Sequence, residues 1–96
     1  MNTACVRKVS MILYGKLMKG NMLLKDSKAI GKDTEKSFHD QMEEAFLRLC
    51  RNLDIPVPIW LNKNTREISQ YKKTYFEKEQ FIEETVFDRF VLEIEV

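Results

Sequence analysis

Apolar residues along this chain change their period repeatedly, and each change marks an element. In the N-terminal stretch "VSMILYGKL", Val9, Met11, Leu13 and Leu17 fall on one face at a period of two, the mark of a half-buried strand. "MLLKDSKAI" follows, with Gly20–Asn21 between the two segments. Glycine at the first central position suits a type II′ turn, so the pattern predicts a β-hairpin. A two-residue loop sets Leu17 opposite Leu24 and Met11 opposite Ile30, pairing apolar with apolar.

Gly31 ends the strand, and the period lengthens. Phe38, Met42, Ala45, Phe46, Leu49 and Leu53 recur at helical spacing, with Glu43, Glu44, Arg48 and Arg51 largely on the other side. This predicts a helix over about Thr34 to Asn52, capped by Asp33 or Thr34 and unable to run past Pro56. "DIPVPIW" is a stiff, extended connector, because each proline drives its predecessor out of helical geometry. In "NTRE", Asn64 reads as an N-cap with Glu67 at N3. Ile68, Tyr71 and Tyr75 then fall at helical spacing, predicting a second helix from Thr65 to Lys73 or Tyr75. "EKEQFIEE" is a loop or turn. The closing "VFDRFVLEIEV" alternates, with Phe90, Leu92, Ile94 and Val96 one way and Arg89, Val91, Glu93 and Glu95 the other.

The sequence therefore predicts an α+β fold of order β-β-α-α-β. A small three-stranded sheet, made of the hairpin and the C-terminal strand, carries two helices on one face. The last strand returns beside the first. A length of 96 residues is one domain, 1–96, with residues 1–6 expected to be loose.

Around "IPVPIWLNKN", Ile55 to Asn64, and the closing "FDRFVLEIE", with "LYGKLMKGNMLLKD" upstream, most of the chain resembles a family of small uncharacterised bacterial proteins of the Firmicutes type, with an IPxPxWLxKN motif. The resemblance implies a shared fold and no assigned activity.

Composition narrows the function classes. The chain is 44% hydrophobic and 32% charged, ordinary for a globular domain. It holds no apolar run near the ~20 residues of a membrane span. The short apolar stretch "VSMILYG" is followed by Lys16 and Lys19 without a small-residue cleavage site. A cytoplasmic protein without a membrane partner is expected. Cys5 and Cys50 stand far apart and read as reduced thiols, with no disulfide or zinc site.

Net charge is +1, unevenly spread: residues 1–32 carry +6, 33–61 carry −3, 62–78 carry +3 and 79–96 carry −5. Such asymmetry can mark a nucleic-acid face. A basic strand neutralised by an acidic neighbour explains it better.

No enzyme is expected, and no cofactor. His39, the only histidine, has no nucleophile or carboxylate partner in a known spacing. Glu43–Glu44 and Glu83–Glu84 are sequence neighbours whose side chains diverge. The three glycines form no phosphate loop, and metal-ligand spacings are absent.

Three surfaces remain. Ile12, Tyr14 and Val91 lie on the sheet face away from the helices, and as a bare apolar patch they imply self-association or a protein partner. Trp60, Lys63, Arg66, Tyr71, Lys72 and Lys73 interleave aromatics with cations, as a nucleic-acid site does. Lys16, Lys19, Lys25 and Lys28 of the hairpin would add to it only if the two basic blocks meet. A plainer reading makes Trp60 a plug at the end of the core. A ligand pocket under Trp60 is the third option. Protein contact or self-association is the favoured function, and nucleic-acid binding the alternative.

Overall fold

The alternating segments form strands, as their period requires, but the described residues hold four strands. The computed structural model describes residues 11–31 and 37–95. The expected looseness of residues 1–6, the helix caps at Asp33 or Thr34, and the strand end at Val96 lie outside the described residues. The elements run β1 (Ile12–Lys19), β2 (Met22–Ile30), α1 (Phe38–Leu53), α2 (Asn62–Tyr71), β3 (Lys73–Glu77) and β4 (Arg89–Glu95), with a 3-10 turn at Lys78–Gln80. All pairings are antiparallel, in the order β2-β1-β4-β3. The α+β class and the return of the last strand beside the first match the sequence reading. The three-stranded sheet does not.

The extra strand comes from the segment that reads as the end of the second helix. Lys72 adopts φ 60°, ψ 25°, the left-handed conformation that stops a helix, and its N–H donates to Ile68 O at 3.0 Å. The next five residues then pair with β4, Phe76 opposite Phe90. Tyr71 and Tyr75 are thus not a helical pair: Tyr71 is exposed on α2 and Tyr75 stands on the sheet. Their spacing of four fits a helix, but the chain leaves the helix between them.

The hairpin turn has its positive φ at Gly20, 61°, and not at Asn21, as a type II′ turn requires. Next to the turn the pairs are Lys19–Met22 and Met18–Leu23. A bulge then shifts the register, so Leu17 faces Lys25 and Ile12 faces Ile30. Leu24 is the additional residue, and the predicted Leu17–Leu24 and Met11–Ile30 pairs are displaced by one. The shift puts Lys25 on the helix side, where its ammonium donates to Leu53 O at 3.2 Å, at the C-terminus of α1.

α1 begins at Phe38 with Ser37 as N-cap, its Oγ accepting from Asp40 N at 3.1 Å. Ala45, Phe46, Leu49, Cys50 and Leu53 are buried against Leu13, Leu17, Phe76, Phe90 and Leu92 of the sheet. The close approach is permitted by Gly15, where a Cβ would stand 2.8 Å from Phe90 and 2.9 Å from Leu49. Phe46, Phe76 and Phe90 form the aromatic centre, with ring centroids 5.6–6.1 Å apart.

Candidate functional site

A concavity lies beside that aromatic centre, between α1, the proline connector and α2. It encloses about 680 Å³. Phe38, Met42, Phe46 and Leu47 form one wall, Val57, Pro58 and Trp60 a second, and Ile68 of α2 and Ile94 of β4 complete it. The size and apolar lining are those of ligand and side-chain pockets.

Local chemistry explains each wall. Pro56 and Pro58 keep the connector extended, and the 3-10 turn holds it: Ile59 N donates to Gln80 O at 2.7 Å and Gln80 Nε2 returns to Ile59 O at 2.9 Å. Trp60 is half-buried, packed edge-on to Phe46 at 5.5 Å and tilted on Phe76 at 5.4 Å. Its Nε1 donates to Thr65 Oγ1 at 2.8 Å, which fixes the indole as a wall. Phe38, Leu47 and Val57 are 40–50% exposed, so the groove presents apolar surface to the outside. Its rim is polar, with His39 and Glu43 on α1 and Ser69 and Lys72 at the end of α2.

A buried polar cluster anchors α2. Asn64, wholly buried, accepts from Leu61 N at 2.9 Å and from Gln80 Nε2 at 3.1 Å. Its amide donates to Thr74 Oγ1 at 2.8 Å and Tyr75 O at 3.0 Å, and Thr74 donates to Glu67 Oε1 at 2.6 Å. The predicted N-cap role is corrected: Leu61 is the cap and Asn64 is N3. Glu67 serves Thr74 instead of the helix start. Sequence reasoning missed this cluster. One signal was available: Asn64 lies four residues before the core residue Ile68, hence on its face.

The structure divides the predicted basic and aromatic site. Trp60 and Lys72 share the groove. Lys63 and Arg66 ride on α2, while Lys73 lies on the far face of the sheet, paired with Glu93 at 3.6 Å. Lys73 and Arg89 stand 5.7 and 5.4 Å from the Tyr75 ring centre. Of the hairpin lysines, Lys16 and Lys28 lie on that far face, and Lys25 caps α1. Lys73 thus shares the far face with Lys16 and Lys28, whereas Lys63, Arg66 and Lys72 belong to α2 and its end. β4 with Glu93 and Glu95 runs between β3 and the basic β1.

Ile12, Tyr14 and Val91 do share the far face, but not as a bare patch. Val91 is buried within the chain, with Lys16 and Tyr75 directly opposite on its two sides. Ile12 and Tyr14 are half-buried, and Tyr14 OH donates to Glu95 at 2.8 Å. That hydrogen bond raises the phenol pKa above its ordinary value.

His39, Asp40 and Glu43 bring ligand-type atoms within 4.8 Å of one another at the groove mouth, all exposed, a grouping that the sequence reading did not single out. Cys50 is buried as a free thiol, and desolvation pushes its pKa up to about 12, which makes it inert. No helix among the described residues is long and apolar enough to cross a membrane. The chain matches no protein-family model, no curated protein and no solved structure.

Proposed function

We propose that this is a non-enzymatic cytoplasmic domain that works through protein contacts, and that its groove receives an amphipathic segment of a partner protein. The observation that carries the reading is the half-exposed apolar set Phe38, Leu47 and Val57 around the fixed indole of Trp60. Monomers seldom leave such a set facing water unless something seats on it. The rim supports a segment with charges flanking an apolar stripe, since Glu43 and Lys72 offer opposite signs on opposite sides. The buried, reduced Cys50 fits a reducing compartment. Glu93 and Glu95 of β4, standing between the hairpin lysines and Lys73, weigh against nucleic acid.

The test is photocrosslinking in native cells from a benzophenone amino acid at Val57, with Ile82, exposed and outside the groove, as control. A discrete protein adduct from Val57, absent from Ile82 and lost on Leu47→Glu, supports the reading. Identical adduct patterns from both positions, or recovery of RNA instead of protein, overturns it.

A further inference from the structure

The sheet has two edges, and they are treated differently. β3 is five residues long, and its Tyr75 carbonyl accepts from the Asn64 amide, so α2 closes that edge. β2 is nine residues long, and Met22, Leu23, Leu24 and Ile30 along it are 38–63% exposed. A long edge with exposed apolar side chains is a template for another strand.

Its hydrogen-bonding groups can be assigned. Gly31 N donates to Met11 O at 2.9 Å. Antiparallel alternation then turns the backbone groups of Ala29, Ser27 and Lys25 toward β1, and those of Asp26, Lys28 and Ile30 toward the edge. Arg48 occupies the Ile30 carbonyl, at 2.7 and 3.1 Å from its two guanidinium nitrogens. It also confirms the direction, because that carbonyl points away from β1. Asp26 and Lys28 are left as the outward residues of the regular stretch, both exposed and in no ion pair among the described residues.

We propose that two copies of this chain pair antiparallel through β2 about a two-fold axis at Ser27, forming one continuous eight-stranded sheet. Closed association of identical edges requires self-complementarity, and charge selects the register. Pairing Asp26 with Asp26 or Lys28 with Lys28 sets like charges opposite each other, which destabilises. Centring on Ser27 sets Asp26 of each copy opposite Lys28 of the other, twice, and satisfies the backbone groups of all four residues. It also sets Leu24 beside the other copy's Ile30. The inference is independent of the groove and survives its failure.

Sedimentation equilibrium from micromolar toward millimolar concentration tests it. The wild type gives twice the chain mass. Asp26→Lys and Lys28→Asp each place like charges across the axis and sediment as monomers, with circular dichroism unchanged. Mixed in equal amounts, the two variants restore the dimer, because each supplies the charges the other lacks. The double swap Asp26→Lys/Lys28→Asp also restores it. A monomeric wild type throughout, dimers in either single variant, or folded variants that fail to dimerise on mixing overturns the proposal.

Discussion

The side-chain amide of Asn64 donates to Thr74 Oγ1 at 2.8 Å with both residues wholly out of water. This bond joins α2 to β3, neighbours in sequence that run in different layers. Through it, the helix that carries Thr65, and so the hydrogen bond that orients Trp60, is registered against the sheet. The groove wall therefore depends on a polar contact inside the core. All four hydrogen-bonding positions of the Asn64 side chain are used: two donors and two acceptances.

Asn64→Ala strands buried partners, so it should cost about 2–4 kcal/mol, more than loss of an ordinary cap. Asn64→Asp keeps the acceptor but loses both amide donors, and turns a carboxylate oxygen toward the Tyr75 carbonyl. It should be at least as damaging as Asn64→Ala. Denaturant titration of the two variants checks this, and a near-neutral Asn64→Asp would contradict the network.

Gly15→Ala should destabilise by about 1–3 kcal/mol, since its Cβ meets the buried Phe90 and Leu49 at 2.8 and 2.9 Å. Gly20→Ala has no such neighbour, only a positive φ of 61°, and should cost about 1–2 kcal/mol. The double variant Gly15→Ala/Leu49→Ala discriminates the mechanisms. If overpacking is the cause, it should cost less than the sum of its single changes.

Trp60→Ala should cost about 2 kcal/mol, below the ~3–5 typical of core tryptophans, because the indole is half-buried. Trp60→Phe keeps the contacts with Phe46 and Phe76 and loses the bond to Thr65, worth about 1 kcal/mol. Melting temperatures check the order. Emission from this single tryptophan should be partly quenchable by acrylamide, as for a wall and not a plug.

The Cys50 thiol should resist alkylation at neutral pH in a Cys5→Ser background and react once denatured. Burial holds its folded pKa near 12, above the ordinary value of 9.0. The unfolded chain therefore loses this proton first as pH rises. Stability from this group is intact below about pH 9 and falls between pH 9 and 12, by about 1.4 kcal/mol per pH unit at most. Cys50→Ala should flatten that part of the stability–pH curve.

The sequence alone determined the hairpin, the main helix stripe and the last strand, because each is a periodic pattern whose own burial selects its geometry. Gly20 identified its turn, and β4 does return beside β1, although the register sets Lys16 opposite Val91 and not opposite a carboxylate. Tertiary structure alone decided β3. "KTYFE" is too short to declare itself, and becomes a strand only because β4 offers it a ladder and Lys72 turns the chain. The role of Asn64 was hidden for a related reason: a polar residue at a helix start reads as a cap until the partners Thr74, Tyr75 and Gln80 are folded around it. The groove likewise exists only where α1, the proline connector, α2 and Ile94 converge. Local periodicity can say which face of an element is apolar. Whether that apolar face is covered, as at Val91, or left open, as at Phe38, depends on which distant segment arrives beside it.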